Sequence, residues 1–275
     1  MTTLAARAPG ARMRDPRRVL SLAWTLAFTD WKLRFYGSVL GYVWTLARPF
    51  AFFGVIYVVF TQIANLGEGI RYYGAYVLMS MVLFQFFSEV TNQSVTCLTA
   101  RENLLRKMRF PRLVIPLSVV MTALLNLGMT LVAVLIFAII AGVTPHWGWF
   151  ELPLLIALLS AFAIGVGMLL SVLFIRYRDI QPIWEVTTQM LFYASPILYV
   201  ATIVPEEYQR PYMANPIASV LTEMRHSFLD PTAAGAADAI GGWPRLLIPL
   251  AIIFGSLALG IWAFRREAPR IAEHL

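Results

Sequence analysis

The sequence is poor in charged residues, cysteine and histidine. Only 13% of its 275 residues are Asp, Glu, Lys or Arg, whereas soluble globular domains carry about 25%. The single cysteine, Cys97, excludes an intramolecular disulfide and a cysteine-based metal site. The histidines, His146, His226 and His274, are scattered and form no HExxH or comparable spacing. These shortages exclude a disordered chain, a disulfide-stapled secreted domain and an ordinary cytosolic enzyme.

Motifs for self-contained catalysis are also missing. The chain has no GxxxxGKS or GxxxxGKT phosphate loop, so we expect it to bind no nucleotide and to hydrolyse no ATP itself. It has neither a GxSxG nucleophile motif nor a metal-ligand spacing, so we expect no catalytic residue, metal or cofactor. An integral-membrane enzyme would have to use Glu206, Glu207 and His226 of one external loop. A passive membrane body driven by another protein fits the sequence better.

What the sequence has instead is apolar residues in long runs. Hydrophobic residues make up 59% of the chain, and the mean hydropathy is +0.69. A transmembrane helix needs about 20 predominantly apolar residues. The sequence therefore predicts an all-α polytopic membrane protein with six transmembrane helices. The predicted spans are Val39–Ile63, Tyr72–Val95, Leu113–Val143, Leu152–Ile175, Ile183–Val204 and Leu246–Phe264.

The basic residues are distributed unequally between the two sides of these spans. One side holds both termini, the loop between spans 2 and 3 and the loop between spans 4 and 5. Of the 22 Lys and Arg residues, 17 lie on this side. The opposite side holds four, and Arg48 lies within the first span. Cytoplasmic loops carry an excess of Lys and Arg. We therefore predict that both termini are cytoplasmic, and the net charge of +7 needs no nucleic-acid partner to explain it.

The chain is interpreted as one transmembrane domain, 1–275, with a helix before its first span. Residues 1–14 form a flexible tail, 39–264 the six-span bundle and 265–275 a cytoplasmic tail. In the segment 15–36, Asp15 can cap a helix that Pro16 begins. Its apolar face predicts an amphipathic helix in the membrane interface, or alternatively a soluble helix packed on a partner. That face consists of Leu20, Trp24, Ala27, Phe28, Trp31 and Phe35.

The main cytoplasmic loop combines cations with an apolar stripe. A solvated loop explains the charge but not the stripe, which favours docking into a groove of a cytoplasmic partner. Its residues are Arg101, Glu102, Asn103, Leu104, Leu105, Arg106, Lys107, Met108 and Arg109. The second cytoplasmic loop, with Arg176, Arg178 and Asp179, is too short for a domain and offers a contact or a salt-bridged turn.

Three charged residues fall within spans, and one external loop is long. Arg48, Glu89 and Glu185 either face the bundle interior or snorkel to the cytoplasmic surface, and Glu89 is the deepest of them. The loop 201–244 has a helical periodicity near 218–229. It is either an ordinary folded external loop or a pair of short re-entrant helices, which line a cavity or are buried in protein.

Several segments together resemble one family. They are Asp30–Tyr36, Gly41–Trp44 before Arg48-Pro49, Glu102–Lys107 with Phe110-Pro111, Arg176–Ile180, Ser195–Tyr199, Asn215-Pro216 and Arg225. In this order and spacing the chain, over about 25–265, resembles the membrane subunit of bacterial ABC polysaccharide exporters. That family exports O-antigen, teichoic acid, capsule or cell-wall galactan.

The resemblance implies a transport machine in the bacterial cytoplasmic (inner) membrane. Its expected composition is a homodimer of this chain with two copies of an ABC ATPase subunit, which hydrolyses the ATP. The expected substrate is a lipid-linked polysaccharide that passes through a channel at the dimer interface. The family's interface helix corresponds to Asp15–Tyr36, its ATPase-coupling helix to about Arg101–Arg109, and its short re-entrant helices to the long external loop.

Aromatic side chains suit such a channel because they stack on the C–H faces of sugars while letting the polymer slip. Tyr57, Tyr193 and Tyr199 are the preferred channel residues, since their hydroxyls would be wasted against lipid, and Glu89 joins them. The alternative for each ring is a lipid-facing position or an interfacial belt. Two other functions stay open: an ABC permease for drug or lipid efflux, and a glycan-modifying membrane enzyme.

Overall fold

A computed structural model describes residues 16–35, 39–63, 67–102 and 111–267. Over these residues the chain is helical and contains no strand. The long helices are α1 (Pro16–Phe35), α2 (Val39–Val58), α3 (Tyr73–Thr96), α4 (Val114–Ile140), α5 (Leu152–Arg176), α6 (Ile180–Tyr193) and α10 (Leu247–Glu267). Between α6 and α10 lie α7 (Glu206–Met213), α8 (Pro216–Met224) and α9 (Ala236–Ile240).

Five helical segments of the described chain are long and apolar enough to cross a membrane. They contain α2, α3, α4, α5 and α10, and they confirm a polytopic all-α protein. The predicted continuous span 183–204 is wrong in its extent, because α6 has 14 residues and ends at Tyr193. At about 1.5 Å per residue α6 is roughly 21 Å long, shorter than the hydrocarbon core of a bilayer, about 30 Å. A count of six spans is therefore not confirmed.

The core of the bundle forms around α3 and α5. In the most apolar stretch of α3, 72% of the residues are buried, against 11% in that of α2. Two glycines bring α5 and α10 close together: a Cβ added to Gly260 would lie 3.0 Å from the Gly165 Cα. Gly167 packs against α3, where a Cβ would lie 2.7 Å from the Ser94 Oγ. Small residues allow this close backbone approach between membrane helices.

The predicted N-terminal helix is present as α1. It packs on α4 through small residues, since Ala23 and Ala27 are fully buried. Trp24, Phe28 and Trp31 stack in a row, with ring centroids 6.2 and 6.1 Å apart. Trp24 is 50% and Phe28 37% exposed. Trp24 and Phe28 are thus exposed to the surroundings of the bundle, and the place of α1 in the membrane interface stays a prediction.

The segment after α6 folds back onto the first turn of α3. The Tyr73 hydroxyl donates to the Leu198 carbonyl at 2.7 Å, and the Tyr76 hydroxyl lies within hydrogen-bonding reach of the Pro196 and Tyr199 carbonyls. These long-range bonds occupy backbone carbonyls of the segment after Tyr193, where a continuous helix was expected. The short helices α7, α8 and α9 agree with the expected secondary structure of the long loop. Their depth in the bilayer stays a prediction.

Candidate functional site

A polar cavity of about 460 Å³ lies between α1, α2, α3 and α4, and we name it the inner cavity. At its centre the Glu89 Oε1 accepts three hydrogen bonds. Arg34 of α1 donates at 2.9 Å, Gln93 of α3 at 2.9 Å and Asn126 of α4 at 2.7 Å. Glu89 lies seven residues before the end of α3, about 10 Å along the helix. A carboxylate at such a depth is costly unless it is paired.

The polar wall of the inner cavity comes from one stripe of α3. Positions three and four apart share a helix face, and this face of α3 carries only polar side chains over two turns. Its members are Gln85, Ser88, Glu89, Asn92 and Gln93. Of these, sequence reasoning identified Glu89 alone. The uncharged members have the same helical spacing, and that spacing was the available signal.

Arg48 joins the inner cavity to a second one. The side cavity, of about 470 Å³, lies between α2, α3 and α6 and shares Arg48, Gln85 and Ser88 with the inner cavity. Its remaining wall includes Gln189 and Tyr193 of α6. Among the described residues no carboxylate forms an ion pair with Arg48. Because the two cavities share these wall residues, we name them together the groove along α2; Arg48 lies at their junction and is not neutralised by any carboxylate of the described residues.

Aromatic rings separate the inner cavity from a third one near the opposite end of α2. Phe137 of α4 meets Phe50 and Phe53 of α2 edge-on, with ring centroids 6.4 and 5.5 Å apart. Beyond them lies the outer cavity of about 690 Å³. Its wall includes Tyr57, whose ring centroid is 5.4 Å from that of Phe53, and the single carboxylate Glu68.

The predicted channel residues lie in different places. Glu89 lines the inner cavity, Tyr57 the outer cavity and Tyr193 the side cavity. Tyr199 lines none of these three. Its hydroxyl donates to the Tyr193 carbonyl at 3.0 Å and accepts from the Tyr212 hydroxyl at 3.2 Å. Burial, aided by this bond to Tyr199, raises the pKa of Tyr212 above its ordinary value.

Two of the helices that border the groove, α2 and α6, are little covered by the rest of the chain. Of the 14 residues of α6 only Thr188 is buried. Tyr193 is 69% exposed, and Trp44 and Phe52 of α2 are 66% and 63% exposed. Polar α6 side chains, Gln181, Glu185 and Gln189, lie on the uncovered surface as well. A face of this composition calls for a protein or aqueous neighbour rather than lipid alone.

The predicted partner-binding residues are only partly within the described chain. Asn103, Leu104, Leu105, Arg106, Lys107, Met108 and Arg109 lie outside the described residues. Arg101 turns inward, because it pairs with Asp30 of α1 and donates to the Ser118 Oγ of α4 at 3.1 Å. Glu102 is partly buried.

The second predicted contact loop lies at the adjoining ends of α5 and α6. Arg176 pairs with Glu267 of α10 at 3.1 Å. Arg178 lies over the Phe174 ring, 4.9 Å from its centroid, and Asp179 is exposed. Nothing in this geometry prevents Arg178 and Asp179 from meeting a partner.

The short motifs near the end of the sequence converge on Tyr76 of α3. Pro196 reaches the Tyr76 hydroxyl through its carbonyl, and the Arg225 guanidinium lies 5.9 Å from the Tyr76 ring centroid. Asn215 caps α8 by accepting from the Ile217 amide at 3.0 Å, and its own amide donates to the Ser195 Oγ at 3.2 Å. These residues thus fix the segment between α6 and α10 on the core.

The residues considered for an enzyme do not form a catalytic arrangement. Glu206 and Glu207 are exposed in the first turn of α7. The His226 Nδ1 lies 2.7 Å from the Ala233 carbonyl. Within the described chain no hydrogen bond or ion pair joins any two of these three side chains. Over the same residues, no group of three or more His, Cys, Asp or Glu could hold a metal ion.

Comparison with known proteins assigns the chain to a family. The family model described as "ABC-2 type transporter" matches residues 21–229, from α1 to the end of the turn after α8. The chain belongs to the ABC-2 type transporter family. Members of this family are membrane proteins, in agreement with the five spanning segments.

The relatives of this chain include O-antigen export permeases and a polysialic acid transport protein. The chain is 30% identical over 204 residues to the O-antigen export system permease protein RfbA of Klebsiella pneumoniae, covering 74% of this chain and 78% of that one. It is 26% identical to the RfbA protein of Myxococcus xanthus, covering 88% and 92%. The polysialic acid transport protein KpsM of Escherichia coli is 21% identical, with 72% and 77% covered.

Proposed function

We propose that this chain is the permease subunit of an ABC transporter that exports a polysaccharide across the cytoplasmic membrane of a bacterium. The observation that carries the proposal is the groove along α2, whose cavities have both polar and aromatic walls. The named relatives support the same class of substrate. A passive groove without a nucleotide motif also fits a subunit driven by a separate ATPase.

A second copy of the chain closes the groove in this proposal. The uncovered faces of α2 and α6 carry Arg48, Gln189 and Tyr193, which are unsuited to lipid. If these faces meet their counterparts in a homodimer, they enclose a passage between the two subunits. The inner and side cavities then open onto that passage near its cytoplasmic half.

The chemistry of the walls suits a sugar polymer. The Gln85 and Gln189 amides and the Arg48 guanidinium offer hydrogen bonds to hydroxyl groups. Tyr193 offers a ring face on which the C–H side of a sugar can stack, and Tyr57 offers another at the outer cavity. Neither contact requires one particular glycan, and the site therefore determines a polymer class rather than a single sugar.

The driving force enters from the cytoplasm. We assign the contact with two copies of the ATPase subunit to the segment 101–109, together with Arg178 and Asp179. The excess of Lys and Arg on this side of the spans supports a cytoplasmic location for it and for both termini. No ATP chemistry is assigned to this chain.

Depletion of the protein in its host tests this function. We expect polysaccharide to disappear from the cell surface and its lipid-linked precursor to accumulate inside, and we expect the chain to co-purify with an ATPase subunit. An intact surface glycan with altered drug sensitivity would instead indicate an efflux permease. Loss of a glycan modification on alanine replacement of Glu206, Glu207 or His226 would indicate an enzyme.

A further inference from the structure

Two charged residues of α1 reach different parts of the bundle. Asp30 and Arg34 are four residues apart, a spacing at which opposite charges on an isolated helix pair with each other. In the structure Asp30 pairs with Arg101, which follows the end of α3. The Arg34 Nη1 lies 2.9 Å from the Glu89 Oε1 inside α3. Asp30 is thus paired at the cytoplasmic end of the bundle, and Arg34 is paired at the inner cavity.

Arg101 connects three elements at one point. Its guanidinium pairs with Asp30 of α1 and donates to the Ser118 Oγ of α4 at 3.1 Å, while its backbone amide donates to the Leu98 carbonyl at 3.3 Å. Its side chain is 20% exposed and that of Asp30 35%. The two charges of a partly dehydrated pair attract each other more strongly than those of a fully solvated pair, because less water screens them.

The packing of α1 on α4 uses small side chains. Ala23 and Ala27 are fully buried there, and the Thr122 Oγ1 donates to the Ala27 carbonyl at 3.4 Å. Small side chains interlock weakly, and packed helices joined in this way can slide over each other by shear. The two ion pairs of α1, Asp30–Arg101 and Arg34–Glu89, oppose such sliding.

We propose that the Asp30–Arg101 ion pair transmits movement of the cytoplasmic segment 101–109 to α1, and through Arg34 and Glu89 to the inner cavity. This inference rests on the proposed function, since the ATPase partner supplies the movement. Arg101 is the first residue of that segment, so a displacement of the segment displaces Arg101 and, with it, Asp30. Asp30 and Arg101 are positioning residues and need no contact with the substrate.

The test uses the full-length chain in complex with its ATPase subunit and compares Asp30→Asn with the unsubstituted protein. Asn has the shape of Asp without its charge. We expect assembly and ATP hydrolysis close to those of the unsubstituted complex, and export lower by about fivefold or more, the scale of ordinary coupling between sites. Asp30→Glu keeps the charge and should restore export, as should the reversed pair Asp30→Arg with Arg101→Asp.

The matched control is the other cytoplasmic-end ion pair, Arg176 with Glu267, which joins α5 to α10 and does not involve α1. Glu267→Gln removes this ion pair while leaving Arg176 in place, and it should leave export unchanged. Normal export by Asp30→Asn would overturn the inference. Loss of assembly together with export would overturn it too, because the pair would then only support the fold. If the unsubstituted chain bound no ATPase subunit, the proposed function would fail first, and this inference with it.

Discussion

Helices α6 and α10 are both poorly covered by the rest of the chain, yet their uncovered faces differ. From Leu247 to Trp262 every exposed side chain of α10 is apolar. The exposed side chains of α6 include Gln181, Glu185, Gln189 and Tyr193. Lipid tails satisfy the first face but leave the polar groups of the second without partners. The face of α10 therefore suits contact with lipid, whereas the face of α6 suits the passage proposed above.

The largest effect is expected when the same cation, arginine, is placed on each of the two faces in turn. Phe254 of α10 is 54% exposed near the middle of the helix, and Phe254→Arg should cost about 2.5–3.5 kcal/mol of insertion free energy. Gln189→Arg on α6 should cost much less, because Gln189 lines the side cavity. The yield of folded protein in the membrane measures both. Equal losses would contradict the assignment of the two faces.

The inner face of α10 should be sensitive even to one methyl group. A Cβ at Gly260 would lie 3.0 Å from the Gly165 carbonyl carbon and Cα, so Gly260→Ala should cost about 1–3 kcal/mol of stability through overpacking. Gly255 has nothing within 4 Å of its Cβ direction, and Gly255→Ala serves as the matched control on the same helix. Thermal unfolding in detergent measures the difference, and equal unfolding temperatures would exclude the close glycine contact.

Export should depend more on the partly buried carboxylate of Glu89 than on the exposed carboxylate of Glu185. Glu89→Leu removes the acceptor of Arg34, Gln93 and Asn126, and export should fall about tenfold, equivalent to about 1.4 kcal/mol. Glu185→Leu on α6 is the control, since within the described residues Glu185 accepts a single hydrogen bond, from Gln181 one turn away at 3.2 Å. Export per folded molecule is the quantity to compare. A larger loss for Glu185→Leu would move the functional centre from the inner cavity to α6.

The smallest effect is expected at the aromatic contact of the side cavity. Tyr193→Leu keeps an apolar side chain but loses the ring, and export should fall by the equivalent of about 0.5–1.5 kcal/mol, the range for aromatic contacts. Tyr193→Phe keeps the ring and should export nearly as well as the unsubstituted protein. If Phe and Leu behaved alike, stacking on sugars would not be the role of this residue.

The sequence predicted the spans where apolar run length decides the helix. The predicted Tyr72–Val95 and Leu152–Ile175 agree with the observed α3 and α5 within one residue at each end. The expected continuous helix 183–204 failed for two physical reasons. Pro196 disfavours helical geometry at Ser195, and hydroxyl groups of α3 capture carbonyls of the following segment. The proline was visible in the sequence, but the partners of those carbonyls were not.

The candidate site was predictable only in part. Glu89 was identified because a charge within a span is costly, and its uncharged neighbours on α3 were recognisable by spacing. Arg34 and Asn126 come from other helices, and only the fold brings them to Glu89. Likewise, Arg101 was predicted to face a cytoplasmic partner, and its bonds to α1 and α4 depend on tertiary packing that no local pattern records.

The central claim is that the polymer passes along the α2–α6 face, and site-specific photo-crosslinking tests it most directly. A photoreactive residue is placed at position 85 or 189, which line the side cavity, and at position 252 or 254 on the apolar face of α10. During ATP-driven export the account predicts glycan crosslinks at 85 and 189 and none at 252 and 254. Crosslinks confined to α10, or equal at all four positions, would contradict it.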